Sequence, residues 1–263
     1  MAVLVSRLRL GVLALGFGAA ALCTVVLPGN VVMRLAFGMV GGTFGRDALL
    51  MATGLLLGAA TELVRRRTGA GCDRCGRIRS LPTRPDGTVV PPRWLRVATY
   101  AAAAVPLAAF SLPHLLWALH VPFGVRPGVT DGVGLTGTML FLVAGPAVGA
   151  LLTVGLVRRW GQVFPRLLPL VGGRRVPRPL AVLPPLLPGL LVLQYGVLTV
   201  RCLVPAALGL TRTCFGHSAE VALDNWAFAA TYPVFLCWGL GLTVAALGYG
   251  WLTRPRCRSC DRR

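Results

Sequence analysis

The chain has 263 residues, of which 55% are hydrophobic and only 13% charged, and its mean hydropathy is +0.71. All 27 basic residues are Arg, and they outnumber 8 acidic residues to give a net charge of +19. Soluble domains are about 25% charged, disordered basic tails lack this apolar content, and nucleic-acid-binding domains carry their Arg on a folded polar surface. The composition indicates instead a polytopic membrane protein.

Six apolar segments are long enough to cross a bilayer, which requires about 20 residues in helical form. We therefore predict an all-α helix bundle that forms a single transmembrane domain over residues 1–263. The predicted spans are residues 8–27, 47–64, 97–119, 134–157, 180–205 and 226–252. We expect the first span to be retained as an anchor, because its apolar run exceeds that of a typical signal peptide.

The distribution of Arg between the spans predicts the orientation of the chain. The first connection, residues 28–46, holds only Arg34 and Arg46, whereas the second, residues 65–96, is strongly basic. Successive connections lie on opposite sides of the membrane, so 22 of the 27 Arg fall on the same side as both termini. Because basic loops stay in the cytoplasm, we predict a cell-membrane protein with both termini cytoplasmic. Most of the charge would then serve orientation and attraction to anionic lipids, with no nucleic-acid partner.

The cytoplasmic loops carry the most informative residues. Cys72 and Cys75 lie in the basic loop 65–96, and Cys257 and Cys260 follow the sixth span. Two C-x-x-C pairs supply four thiolates, which is the ligand set of a closed tetrahedral zinc site. Their separation far exceeds zinc-finger spacing, but the membrane brings both segments to one plane. The sequence thus predicts a shared structural zinc site with these four cysteines as ligands.

Two other interpretations of these cysteines remain open. C-x-x-C pairs also act as separate redox dithiols or disulfides, although a reducing cytoplasm disfavours stable disulfides. The pairs could also be metal-free or serve another chain.

Polar residues near the predicted outer face suggest a second candidate site. An ionisable residue inside a span is a functional candidate by default, so Asp47, His114, Arg201 and Asp224 could line an intramembrane polar site. Arg201 could pair with Asp47 or Asp224, whereas a single His in a span more often only packs between helices. Cys202 and Cys214 could form a disulfide on this face, although Cys202 could instead be a small buried hydrophobe.

No catalytic residue can be named from the sequence. It contains no H-E-x-x-H, no G-x-S-x-G and no P-loop, and the absence of Lys excludes Schiff-base chemistry. The run Trp160–Pro177, the segment Trp226–Cys260 and the segment Cys72–Arg77 resemble uncharacterised actinobacterial multi-pass integral membrane proteins with cytoplasmic C-x-x-C pairs. That resemblance implies topology and a cell-membrane location, and no activity.

Three functional hypotheses follow from these patterns. The first is a non-enzymatic membrane protein with a structural or accessory role, whose zinc clamp and basic cytoplasmic face contact anionic lipids or a partner protein. The second is a small transporter or channel that uses the outer polar residues and a fifth helix kinked by Pro184, Pro185 and Pro188. The third is a membrane thiol oxidoreductase.

Overall fold

The computed structural model is helical in almost all of its regular structure. It describes residues 2–28, 31–36, 38, 41–69, 72, 74–77, 80–128, 130–132, 134–211, 213–214, 217–218 and 225–261. Within these residues the helices are α1 (Ala2–Ala21), α2 (Val31–Ala36), α3 (Phe44–Arg67), α4 (Arg93–Pro106), α5 (Leu112–Ala118), α6 (Gly137–Gly155), α7 (Arg178–Ala207) and α8 (Trp226–Leu252). Two short strands, β1 (Thr213–Cys214) and β2 (His217–Ser218), pair antiparallel.

Six helical segments are long and apolar enough to cross a membrane, which confirms the prediction of an all-helical multi-pass protein. They are Ser6–Val26, Phe44–Arg67, Arg93–Ala118, Gly137–Gly155, Arg178–Ala206 and Trp226–Leu252. The third segment is continuous because a π-helical turn, Leu107–Ser111, joins α4 to α5. This turn follows Pro106, whose missing N–H interrupts the regular hydrogen-bond ladder.

The chain divides into two compact units. The first unit consists of Met1–Thr83 and Arg254–Arg263, and the second of Arg84–Thr253. The last residues of the chain thus follow α8 in sequence but belong to the first unit. The assignment of the whole chain to one transmembrane domain stays a prediction.

In the first unit, α1 and α3 pack through small residues. A side-chain carbon built on Gly54 would come within 2.8 Å of the Ala20 carbonyl oxygen, and one built on Gly58 within 3.5 Å of the Ala20 side chain. Gly16 faces Thr61 in the same way. Small residues allow helix backbones to approach closely where no hydrophobic effect drives association in lipid. This hairpin positions the end of α3, from which the cysteine loop begins.

Both ends of α3 extend beyond the predicted span of residues 47–64, and charged pairs hold each extension. At the start, the Asp47 carboxylate accepts hydrogen bonds from Arg34 and Arg46, each 3.1 Å away, and from the Thr43 hydroxyl at 3.1 Å. At the end, Glu62 accepts from Arg65 and Arg66 at 2.6 and 2.8 Å, one helical turn further on. Basic residues in a last turn also complement the negative end of the helix dipole.

In the second unit, α8 is the central helix and packs on both α7 and α4. A side-chain carbon on Gly196 of α7 would lie 2.7 Å from the Leu236 backbone nitrogen, and one on Gly241 of α8 would lie 2.7 Å from Ala102 of α4. Tyr249 of α8 is only 1% exposed, and its hydroxyl donates to the Gly161 carbonyl oxygen at 2.8 Å. The inner face of α8 is therefore specified by close packing along much of its length.

Candidate metal centre

The first cysteine pair lies in a tight turn five residues after the end of α3. The N–H of Gly76 donates to the Cys72 carbonyl oxygen at 2.6 Å, and the N–H of Cys72 donates to the Arg77 carbonyl oxygen at 3.1 Å. Gly76 adopts a left-handed backbone conformation with φ +69°, which glycine reaches without steric cost. The turn therefore folds the chain back on itself around the Cys72–Cys75 pair.

The second cysteine pair repeats this local geometry. The N–H of Asp261 donates to the Cys257 carbonyl oxygen at 2.8 Å, which is the same four-residue closure as in the first turn. Asp261 also has a left-handed backbone with φ +50°, and Asp is among the few non-glycine residues that tolerate it. Each C-x-x-C is thus closed by a left-handed residue directly after its second cysteine.

The two turns bring their sulfur atoms together. The Sγ atoms of Cys72 and Cys257 lie 3.8 Å apart, and those of Cys75 and Cys260 lie 3.6 Å apart. All four Sγ atoms lie within 4.8 Å of one another. All four cysteines are half-buried, and none of these contacts is a disulfide, because disulfide sulfurs would be about 2.05 Å apart.

These spacings fit a tetrahedral metal site. Four thiolates around one ion at a metal–sulfur distance of about 2.3 Å have sulfur–sulfur separations of about 3.8 Å. The two short distances, 3.8 and 3.6 Å, agree with this value, and each joins one turn to the other. The four cysteines could therefore hold a metal ion together, and four protein ligands would leave no open position for a reacting water.

Backbone N–H groups stabilise the thiolate form of one cysteine in each pair. The N–H groups of Cys75 and Arg74 lower the pKa of the Cys72 thiol from its usual value. In the other turn, the N–H groups of Ser259 and Cys260 lower the pKa of the Cys257 thiol from 9.0 to about 6. Since thiolates and not thiols bind metals, both turns favour the charge state that a metal site requires.

Arginines hold the C-terminal segment against the cysteine loop. The Arg77 guanidinium is 3% exposed and donates to the carbonyl oxygens of Pro255 at 3.0 Å and Arg254 at 3.2 Å. Arg74 donates to the Ser259 hydroxyl at 2.9 Å. These contacts join the two turns independently of any metal, and they orient the second cysteine pair toward the first.

The last turn of α3 contacts the first cysteine turn. Arg66, which pairs with Glu62, also donates to the Arg74 carbonyl oxygen at 3.3 Å. Gly76 lies against the same arginines, because a side-chain carbon there would come within 3.0 Å of Arg66 and 3.1 Å of Arg65. The last turn of the helix thus fixes the position of the first cysteine turn.

The predicted outer polar residues are divided between the two units. Asp47 is 2% exposed within its cluster of Arg34, Arg46 and Thr43 in the first unit. In the second unit, the His114 Nδ1–H donates to the Phe110 carbonyl oxygen at 2.7 Å, and Arg201 is exposed on α7. Asp224 lies outside the described residues. An intramembrane polar site formed from these residues stays a prediction.

The His114 ring lies within a group of aromatic side chains. Its centroid is 4.2 Å from that of Phe110 and 4.8 Å from that of Trp117. Phe110 in turn contacts Phe235 and Trp238 of α8, with centroid distances of 5.5 and 5.8 Å. These contacts are typical of a histidine that packs between helices.

Of the two cysteines of the predicted outer disulfide, only Cys202 has a described side chain. Cys202, near the end of α7, is disulfide-bonded. The side chain of Cys214 lies outside the described residues, so its pairing with Cys202 stays a prediction.

Two functional residues were not found from the sequence. Arg77 directly follows the turn glycine and Asp261 directly follows Cys260, but neither was singled out as part of the predicted site. The available signal was positional, because each residue occupies a defined place relative to a C-x-x-C pair. Aligning the two pairs residue by residue would have matched Asp261 to Gly76.

No family model, no curated protein and no solved structure matches the chain. The functional conclusions therefore depend on the geometry of the four cysteines and on the distribution of charge.

Proposed function

We propose that this chain is a multi-pass cell-membrane protein without enzymatic activity, whose cytoplasmic face is held by a structural zinc site. The ligands are Cys72, Cys75, Cys257 and Cys260. The observation that carries the proposal is the meeting of two matching cysteine turns at sulfur distances of 3.8 and 3.6 Å. The role is structural or accessory, as a platform for another protein or for anionic lipids.

Zinc is the ion that this ligand set favours. Four thiolates in tetrahedral arrangement are typical of zinc or of iron–sulfur centres. The sulfur spacing matches a single ion, and zinc is the usual occupant of closed four-cysteine sites. Zinc would also need no redox partner, in keeping with a structural role.

The distribution of Arg supports placement of this site in the cytoplasm. The connections and termini on the cysteine side carry 22 of the 27 Arg, which favours retention of that side in the cytoplasm. A reducing compartment would keep the four thiols available for metal rather than for disulfides. The orientation with both termini inside and the metal site are therefore mutually consistent parts of one proposal.

The function of the metal would be to hold the C-terminal segment on the loop that follows α3. Arg77 and Arg74 already bring the segment there through three hydrogen bonds. Metal–thiolate bonds would convert this weak attachment into a stable one, because metal binding free energy adds directly to folding free energy. The result is a rigid basic surface suited to anionic lipids or an acidic partner protein.

Metal analysis of the purified full chain tests the proposal. We expect one zinc per chain in the wild type and loss of zinc in Cys72→Ser and in Cys257→Ser. The matched control is Cys237→Ser, which removes an exposed free thiol of α8 and should retain full zinc content. A folded wild-type sample that lacks stoichiometric zinc after expression in zinc-supplemented medium would contradict the proposal.

A further inference from the structure

The connection between α6 and α7 forms an ordered hairpin in the second unit. Val163 and Arg175 form an antiparallel bridge. The Phe164 N–H donates to the Arg174 carbonyl oxygen at 2.9 Å, and the Gly173 N–H donates back to Phe164 at 2.9 Å. The segment Phe164–Arg175, called the loop hairpin below, therefore has a defined base and a tip at residues 166–171.

The base of the loop hairpin is attached to the rest of the unit by buried contacts. The Gln162 side chain is 8% exposed and forms two hydrogen bonds with the Val89 backbone, at 2.8 and 2.9 Å. One residue earlier, the Gly161 carbonyl oxygen accepts from Tyr249 of α8 at 2.8 Å. The direction of the tip is thus set by the fold.

The tip presents leucines with almost no protein contact. Leu167 is 93% exposed and Leu170 is 91% exposed, and they are the two most exposed large hydrophobic side chains of the described residues. Leu170 also has a left-handed backbone with φ +72°, which costs a non-glycine residue about 1–2 kcal/mol. Exposure of two leucines to water would be unfavourable, which indicates an apolar environment at the tip.

Arginines surround these leucines. Arg166 precedes Leu167 directly, and Arg174 lies at the base of the tip; both are exposed. Neither forms an ion pair with another described residue. Leucines between unpaired cationic side chains are the pattern of a segment that lies in a membrane interface, where the apolar groups reach the acyl boundary and the charges meet lipid phosphates.

We propose that the loop hairpin inserts Leu167 and Leu170 into the lipid monolayer, with Arg166 and Arg174 bound to anionic headgroups. The monolayer is the occupant that the chain itself brings near, because the hairpin connects α6 to α7 and both helices are suited to cross the membrane. Interfacial segments of this kind penetrate about 5–10 Å into the boundary of headgroups and acyl chains. The proposal does not depend on the zinc site.

Fluorescence of an added indole tests the insertion in the full chain. Leu167→Trp, reconstituted in nanodiscs of phosphatidylcholine, is compared with the wild type, so that the difference spectrum isolates the new Trp from the six native ones. The fold should tolerate this change, because Leu167 packs against almost nothing. Ser80→Trp, at an exposed polar position, is the matched control.

Brominated phosphatidylcholine, which quenches only nearby indoles, supplies the decisive measurement. We expect blue-shifted emission from Leu167→Trp and quenching several-fold stronger than for Ser80→Trp. Emission and quenching equal to those of the control would overturn the insertion. Blue-shifted emission without quenching would also overturn it, since protein from a second copy or a partner would then cover the tip.

A second set of nanodiscs tests the headgroup contact. We expect added phosphatidylglycerol to strengthen the quenching of Leu167→Trp, and we expect the further changes Arg166→Gln and Arg174→Gln to abolish this increase. An increase that survives both substitutions would overturn the assignment of the two arginines. Since all samples retain the four cysteines, their zinc content can be measured in parallel and judged separately.

Discussion

The buried guanidinium of Arg77 donates to the carbonyl oxygen of Pro255 at 3.0 Å, across 178 positions of the sequence. A second nitrogen of the same group reaches the Arg254 carbonyl oxygen at 3.2 Å. The contact brings the C-terminal segment to the cysteine loop through backbone atoms, so it does not depend on which side chains the segment carries. Pro255 precedes Cys257 by two residues, so this contact helps to position Cys257.

Arg77→Gln should weaken metal retention although no ligand is changed. Residues that orient metal ligands typically contribute about 10–100-fold to affinity, and we expect a loss in this range. The measurement is competition for zinc with a chromophoric chelator. The control is Arg258→Gln, which removes an exposed arginine of the same segment and should retain wild-type affinity. Equal zinc affinity in the two variants would show that Arg77 does not position the site.

Substitutions at the two left-handed residues, Gly76 and Asp261, should have opposite effects on zinc binding. Gly76→Ala places a side chain at φ +69° and against Arg66, so we expect a loss of about 1–2 kcal/mol in stability of the turn. Asp261→Gly relieves the same strain at φ +50°. It gives up only an exposed 3.7 Å pair with Arg256, which contributes little. Chelator competition on both variants should show weaker zinc binding for the first and unchanged or tighter binding for the second.

The cluster at the start of α3 should be sensitive to loss of its carboxylate. Asp47→Ala leaves Arg34, itself only 22% exposed, without its acidic partner, and breaking a buried ion pair costs about 3–5 kcal/mol. Arg46→Ala removes a partner that is 69% exposed and should have a much smaller effect. Thermal unfolding in detergent compares the two variants, and similar midpoints would argue against a structural role for the Asp47 cluster.

Gln162 should hold the segment around Val89 in place. Gln162→Leu keeps the volume but leaves the buried Val89 N–H without its partner, at a cost of about 1–3 kcal/mol. The Val89 carbonyl oxygen loses its 2.9 Å bond to Gln162 and keeps a longer one from Arg84, at 3.3 Å. We expect faster hydrogen exchange in residues 84–92. Arg175→Leu loses only a 3.5 Å contact with the Gly87 carbonyl oxygen and should exchange like the wild type.

Most of the fold could be predicted from the sequence, because in lipid a long apolar run has few alternatives to a helix. The structure has six helices long and apolar enough to cross a membrane, as predicted, and their ends differ from the predicted spans by a few residues. The exact ends depend on side-chain pairs such as Glu62 with Arg65, which hydropathy does not detect. The short helix α2, in the first connection, was not predicted for the same reason.

The sequence predicted the four cysteines of the candidate site but not the residues that position them. The prediction that Cys72, Cys75, Cys257 and Cys260 meet is confirmed as a cluster that could hold a metal ion. The role of Arg77 was not predicted, because only its position directly after the turn glycine distinguishes it from the other arginines of the basic loop. Likewise, the pairing of Asp47 with Arg34 and Arg46 was not predicted.

The sequence by itself determined the class of the protein, because hydropathy and charge act through composition and spacing alone. Twenty-seven arginines among long apolar runs dictate a multi-pass helical chain, whatever the details of packing. Only the tertiary structure decided which residues meet: two cysteine turns 185 positions apart, and a hairpin that leaves Leu167 and Leu170 uncovered. Such encounters depend on the directions of specific side chains and backbone turns, which emerge only when the helices and loops have packed.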